Sequence, residues 1–293
     1  MNKKKPKFAL GTVQFGRNYG FKNTKIRKQE EINQILNLSK KSSILLLDTA
    51  SDYLESERKI GKYKRNPVFK ISTKTATIKS SIITEKQIKF VENKFYDSLR
   101  KMKRKKIYSL LIHTFNDILK PGSENLIELL QKIKKEGSVE KIGISLYEPK
   151  QFYKILGIFK PDIVQFPLNI LDQRFLKIKF SLYKEIEFHA RSLFLQGLLL
   201  QDIENIPDFF LPIKQKLKNI RNFFRKRKIN QLESSLLFAL QQKKIDYFII
   251  GIDSYKQFEQ ITRILRKRKM QRINFSQFSS SKNKFTDPRN WKF

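Results

Sequence analysis

The stretch ILLLDTASDYLESERKIG, Ile44 to Gly61, holds one complete structural unit: a short apolar run, a polar loop and the start of a helix-period segment. An apolar run of this length bounded by polar residues reads as a buried strand. Reading outward, the same alternation recurs along the whole chain. Strands are predicted at Phe8 to Val13, Ile44 to Asp48, Val68 to Ser72, Ile107 to Ile112, Lys141 to Ser145, Ile163 to Phe166, Glu187 to Arg191 and Tyr247 to Gly251. Helical stretches fall between them at Gln29 to Lys41, Glu55 to Tyr63, Glu85 to Lys101, Asn125 to Glu136, Pro149 to Leu156 and Arg174 to Glu185. Leu211 to Arg225 with Asn230 to Gln241, and Tyr255 to Arg268, complete the set. Ser123 stands where it can cap the run before Asn125, and Pro149 suits a first helical turn. Gly137 follows a helix, where a left-handed residue costs little. Eight strands, each followed by helix, predict an α/β fold of the (β/α)8 TIM barrel type, built as a single domain over residues 1–293. Pattern alone also admits an open doubly wound sheet. The C-terminal tail Ser276 to Phe293, with its SSSKNK, is polar and is expected to pack loosely.

Charge is the abnormal quantity: 62 Lys and Arg against 27 Asp and Glu give a formal +35. Such a field attracts anions of every kind, and KMKRKK (Lys101 to Lys106), RNFFRKRK (Arg221 to Lys228) and RILRKRKMQR (Arg263 to Arg272) would be the patches for nucleic acid. These runs are scattered, however, and the excess of Lys travels with many Ile, Asn, Phe and Tyr, as expected where a coding sequence drifts towards A and T. They are read as solvated helix faces, and no nucleic-acid partner is assigned. No apolar run is long enough to span a membrane. The start, MNKKKPKFALGTVQFGRN, imitates a basic secretory leader, but Gly11, Thr12, Gln14 and Gly16 interrupt its apolar part, so it reads as a first strand. With no cysteine there is no disulfide, thiolate nucleophile or Cys-based zinc site. The two histidines, His113 and His189, lack the carboxylate pattern of a metal site. A cytoplasmic location is expected, and no feature fixes an oligomeric state.

A barrel carries its chemistry at the carboxyl ends of its strands. Asp48 closes ILLLD, Tyr53 lies in the following loop, Lys74 follows KIST, and His113 ends YSLLIH. Singly, each has an ordinary explanation: a turn cap, a packed ring, a solvated amine, a satisfied core histidine. Together, at three consecutive strand ends, they form an acid-and-electrostatics kit for reducing a carbonyl. A Tyr hydroxyl with a pKa near ~10 is a poor proton donor at neutral pH unless a cation lowers it, and Lys74 is expected to be that cation. Asp48 would hold the ammonium, and His113 would donate to the substrate oxygen or orient it. The kit holds no hydride source, so a cofactor must supply one. Glu55 and Glu57 open a helix, where carboxylates suit the dipole, and Glu57 with Arg58 is read as structural.

The sequence resembles the aldo-keto reductase family over nearly its whole length. The matching segments are LGTVQFGRNYG from Leu10, LLDTASDYLESERKIG from Leu46, ISTKT from Ile71, LLIH ending at His113, KIGISLY from Lys141, VQFPLNILDQRF from Val164, ARSLFLQGLLL from Ala190 and IIGIDSYKQFEQI from Ile249. Their order and spacing along eight strands make the set specific. The resemblance implies Tyr53 as general acid with Asp48, Lys74 and His113 as its partners, and Lys74 over Lys70, which lies inside the strand. It implies NADP(H) as cofactor, with NAD(H) as the alternative, bound across the strand ends without a glycine fingerprint, and a small-molecule carbonyl substrate. Gly11 and Thr12 fall in the first matching segment and are counted with the cofactor site. Ser145 and Gln165 fall where the family holds the nicotinamide carboxamide, with Leu146 in place of the usual Asn; Asn169 falls near the same face. Arg191 stands where an aromatic ring often stacks on the nicotinamide, and its planar charge suits stacking, an acidic substrate group or the pyrophosphate. Ser192 to Gly197 would wrap the pyrophosphate through backbone N–H groups. Gly251, Ser254, Gln257 and Gln260 match the segment for the adenosine phosphate end, where Ile261 replaces one usual polar residue.

Two further readings stand beside the reductase. One is a cofactor-binding regulatory or interaction protein on the same barrel, without turnover. The other is a barrel enzyme acting on phosphorylated sugars, with Lys74 forming a Schiff base.

Overall fold

In the computed structural model, which describes residues 7–20, 26–267, 271–280 and 282–291, each of the eight apolar runs is a strand. They are β1 (Lys7–Gly11), β2 (Leu46–Asp48), β3 (Lys70–Lys74), β4 (Ile107–Ile112), β5 (Val139–Ser145), β6 (Ile163–Pro167), β7 (Glu187–Arg191) and β8 (Tyr247–Ile250). All pair in parallel and in chain order, and β8 returns to β1, so the sheet closes. The chain is a (β/α)8 TIM barrel in one domain. Closure buries both strand faces, which is why β4, IYSLLI, is buried at every position. Inside the barrel Ala9, Leu46, Tyr108, Leu111, Ile163 and Ile249 pack on one another and plug it beneath the strand ends. A much larger apolar shell joins strands to helices.

The helices are α1 (Val13–Gly16), α2 (Gln29–Lys41), α3 (Ser56–Lys62), α4 (Glu85–Met102), α5 (Ser123–Lys135), α6 (Pro149–Leu156), α7 (Leu211–Arg225), α8 (Gln231–Gln241), α9 (Tyr255–Lys267) and α10 (Asn283–Thr286). Among the described residues no helix is long and apolar enough to cross a membrane. Pro149 opens α6 beside a capping box of Glu148 and Gln151, and Gly137 has φ +78° just past α5.

Several expectations need correction. β1 stops at Gly11, because Val13 turns into α1. β3 runs from Lys70 to Lys74, two residues later than predicted, since Asn66–Val68 with its proline forms a single 3-10 turn. The helix expected over Arg174 to Glu185 is two 3-10 turns, Arg174–Lys177 and Phe180–Leu182. Its buried residues, Phe175, Ile178 and Phe180, are spaced three and then two apart, and Leu182 is 68% exposed, so no continuous helical stripe exists. Ser123 is the first residue of α5 rather than its cap. Gly122 at φ +82° takes that place, and the Ser123 hydroxyl donates to Ile118 O at 3.0 Å. Glu57 is buried and accepts from Thr73 Oγ1 at 2.7 Å, while Arg58 pairs with Glu55 at 3.1 Å. Residues 268 and 281, which close the predicted last helix and lie within the tail, are outside the described residues. The rest of the tail is not loose: Phe278, Phe285, Thr286 and Asp287 are buried, and the Trp291 ring lies 4.9 Å from that of Phe210. Apolar residues spaced among polar ones, invisible to a composition count, anchor it.

At the amino-terminal end of the barrel, away from the carboxyl ends of the strands, Glu187 gathers Lys141, Tyr108 Oη at 2.5 Å and His189 Nε2 at 3.2 Å. Burial would raise its carboxyl pKa, but the hydrogen bonds from His189, Lys141 and Tyr108 prevail and hold it at about 2. A depressed carboxylate contributes stability that is present above the unfolded value and lost as pH falls towards the folded one. Glu187→Gln is therefore expected to cost roughly 2–3 kcal/mol at pH 7. The gap from the parent protein should narrow as pH drops below about 4.5, the ordinary value. Denaturant melts at pH 7, 5 and 3 check this; a gap that does not depend on pH would contradict it.

Candidate active site

Asp48 ends β2 and Lys74 ends β3, so the barrel turns two side chains from different strands into the same space. Both are buried, at 5% and 2% exposed. Lys74 Nζ donates to Asp48 Oδ1 and Oδ2, both at 2.9 Å, and to Thr49 O at 2.8 Å, so all three N–H groups are used. Burial pulls the Lys74 pKa down, and Asp48 opposes it. The Asp48 carbonyl is held as well, accepting from Thr12 N at 2.9 Å and Thr12 Oγ1 at 3.0 Å.

Tyr53 sits in the loop between β2 and α3, with Lys74 Nζ 5.5 Å from its ring centre. Two features fix the loop. Ser56 N donates to Tyr53 O at 3.0 Å, and Gly16 of α1 presses against the same carbonyl so closely that a Cβ would lie 1.8 Å from it. Leu54, immediately after Tyr53, takes φ +50°, a strained setting for a branched side chain. Burial, followed by the Asp48 charge, raises the Tyr53 phenol well above its usual value. This corrects the expectation that Lys74 lowers it. The ammonium is spent on Asp48, and the pair together offers Tyr53 little net positive charge.

His113 follows β4, its amide donating to Thr75 Oγ1 at 3.2 Å. Its ring meets that of Tyr53 edge-on, centres 6.1 Å apart at 80°. Nδ1 lies 3.4 Å from Asp52 Oδ2, without hydrogen-bond alignment, and Asp52 Oδ2 accepts from Thr77 Oγ1 at 2.8 Å. Burial raises the Asp52 pKa, but the His113 and Thr77 contacts outweigh it and leave the group below its usual value. Asp52 is missing from the sequence reading; an acid directly before Tyr53 was its only signal.

These groups open into one cavity of about 310 Å³. Gly11, Thr12, Ser145 and Gln165 line it, as do Arg191, Ser192, Gly197, Gly251 and Gln257. Ser254 and Gln260 do not. Ser254 Oγ accepts from Gln257 N at 3.1 Å and Gln257 Oε1 from Asp253 N at 2.7 Å, a reciprocal cap that commits Ser254 to the start of α9. Gln260 is exposed further along that helix. Leu146 is fully buried in the core, and Asn169 structures its own loop by accepting from Leu171 N and Asp172 N. Arg191 Nη2 donates to Leu146 O at 3.1 Å and Nη1 to Ser192 Oγ at 3.4 Å, and its guanidinium lies over the Tyr147 ring at 4.2 Å. Arg289, from the tail, lies over the same ring at 3.4 Å. Tyr147, Tyr19 and Arg27 line the cavity and were not singled out from the sequence.

Two features fit a bound dinucleotide. Gln165 donates to Asp48 Oδ1 at 2.8 Å through Nε2, while its buried Oε1 has no partner among the described residues. Buried acceptors are seldom left unmatched, so this atom awaits a donor. The turn from Ser192 to Gly197 is the second, with φ positive at Ser192, Leu195, Gln196 and Gly197. Within it the amides of Leu195 and Gly197 already donate to Ser192 O and Phe194 O, which narrows the expected backbone wrap to part of the stretch.

The fold and this site define a barrel oxidoreductase, and the chain belongs to the aldo/keto reductase family, whose pattern matches residues 7–280. Among solved structures it is similar to the aldo-keto reductase AKR11C1 from Bacillus halodurans in its holo form, at TM-score 0.74 and 18% identity, covering 94% of this chain and 96% of that one. It is also similar to the glycerol dehydrogenase AKR11B4 from Gluconobacter oxydans, at TM-score 0.66 and 17% identity, covering 94% and 98%. At such identities the likeness speaks to the fold. No curated protein matches the sequence.

Gly16→Ala forces a methyl group into the Tyr53 carbonyl. It is expected to cost about 1–3 kcal/mol and to displace the Tyr53 loop. A thermal midpoint equal to that of the parent would contradict the contact.

Proposed function

We propose that the protein is an NAD(P)H-dependent reductase of aldehydes or ketones, with Tyr53 as general acid. The observation that supports this most is the Lys74 ammonium, fixed on Asp48 and Thr49 O with no N–H to spare, beside the Tyr53 ring. A dihydronicotinamide bound in the cavity supplies the hydride. Gln165 and Ser145 would hold its carboxamide, part of Ser192 to Gly197 the pyrophosphate, and Gly251 and Gln257 the far phosphate end.

The chain's own part is the proton. The raised phenol pKa keeps Tyr53 protonated at neutral pH, so it stands ready to give its proton to the carbonyl oxygen as that oxygen gains charge. The phenolate left behind forms beside the Lys74 ammonium, which its Asp48 contacts hold in place, and the Arg191 charge limits the cost of burying it. His113, braced by Asp52, orients the carbonyl oxygen from a second direction. A Schiff-base role for Lys74 fits poorly, because a nucleophilic amine needs a free lone pair and this one is a triply bonded ammonium.

Tyr53→Phe should lower reduction of a broad aldehyde and ketone panel by about 10²–10⁴-fold while leaving cofactor binding, read by fluorescence, in place. Unchanged turnover would overturn the assignment, and tight NADPH binding by the parent protein without turnover of any carbonyl would favour the regulatory reading. The pH dependence follows from the sign of the shift. Reduction needs the phenol and should decline only above about pH 10, whereas alcohol oxidation needs the phenolate and should rise with pH. Rates measured in both directions from pH 6 to 10.5 check this.

A further inference from the structure

The cations lining the cavity are not equivalent. Lys74 is matched by Asp48 and Arg27 by Glu31 at 3.6 Å. Arg191 has no carboxylate within 4.0 Å among the described residues, and its hydrogen bonds go to a neutral carbonyl and a hydroxyl. Two of its five N–H groups are so engaged, leaving a planar fork of donors in the cavity. The fork is held in place by a ring. Its guanidinium lies on Tyr147, and Tyr147 also carries Arg289, which Asp287 grips in bidentate fashion at 2.6–3.1 Å. Asp287 feels the Arg191 charge from beyond ion-pair distance, but its carboxylate is gripped by Arg289, so a guanidinium oriented this carefully still has donors to offer an oxyanion.

Its anchor places that anion near the reaction. Leu146, whose carbonyl holds Arg191, follows Ser145 at the end of β5, and Ser145 is in register with the Gln165 that grips Asp48. The Arg191 charge is felt by both Lys74 and Tyr53. We propose that the carbonyl substrate carries an oxyanion, a carboxylate or phosphate, that docks on Arg191 while its carbonyl meets Tyr53. The proposal rests on the reductase reading and names the substrate class for it.

The test uses substrate pairs differing in charge: 4-carboxybenzaldehyde against its methyl ester, and glyceraldehyde 3-phosphate against glyceraldehyde. Each pair is read by kcat/KM and by equilibrium binding to the cofactor-loaded protein. The charged member of at least one pair should be favoured tenfold or more by both readouts, and which pair responds distinguishes carboxylate from phosphate. Arg191→Gln should bring that ratio to within threefold of unity, and Arg191→Lys, which keeps the charge but not the fork, should retain part of it. Using a ratio cancels general losses of stability or cofactor affinity, and Arg191→Lys carries the test should the Gln variant fail to fold. No preference in either pair, or a preference that survives Arg191→Gln, overturns the proposal; so does an unchanged ratio with weakened NADPH binding, which would give Arg191 to the cofactor. Selective binding of the charged member without turnover of any carbonyl keeps the anion site and removes the reductase reading instead.

Discussion

A buried ammonium is the most demanding group in this barrel. Taking Lys74 out of water is repaid only where every N–H finds an acceptor and a negative charge stands opposite. Asp48 and Thr49 O meet that requirement, and in doing so they bind the ends of β2 and β3 to one another. Asp48 in turn is gripped by Gln165 from β6 and by Thr12 after β1 through its carbonyl. One ion pair thus ties together four strands around the ring, and the Tyr53 ring lies 5.5 Å from its ammonium.

The pair has an electrostatic consequence that runs against simple intuition. Lys74 was expected to make Tyr53 more acidic, yet the resting phenol is less acidic than usual, because burial and Asp48 dominate. Lys74 is occupied by Asp48, and the cation that opposes burial at the phenol is Arg191. Burial and Asp48 still prevail, so the proton stays on Tyr53 until a stronger acceptor stands against it.

How much of this was legible in the sequence follows from range. All eight strands could be read, because burial on both faces leaves short apolar runs that few other structures produce. Asp48, Lys74 and His113 could be read because strand ends mark where a barrel places polar groups, and Tyr53 because it follows in the adjacent loop. The helix expected after β6 failed because Phe175, Ile178 and Phe180 pack without a helical period. Asp52, Tyr147 and Arg289 escaped notice for another reason: each matters only through a neighbour distant in sequence. Nothing local in PRNW announces that Arg289 will lie on Tyr147. Ser254 and Gln260 were matched to the adenosine phosphate end by likeness of segment; Ser254 caps α9 and Gln260 is exposed on that helix, both outside the cavity.

The tail's contact with Tyr147 joins the two ends of the chain's last third. Arg191 lies on one ring with Arg289, so a segment beyond the last strand, anchored by Phe278, Phe285 and Trp291, shares a platform with a residue that lines the cavity. Loosening that segment would take Arg289 from the ring and leave the Asp48–Lys74 pair untouched, so the terminus can bear on one wall of the cavity without reaching the other.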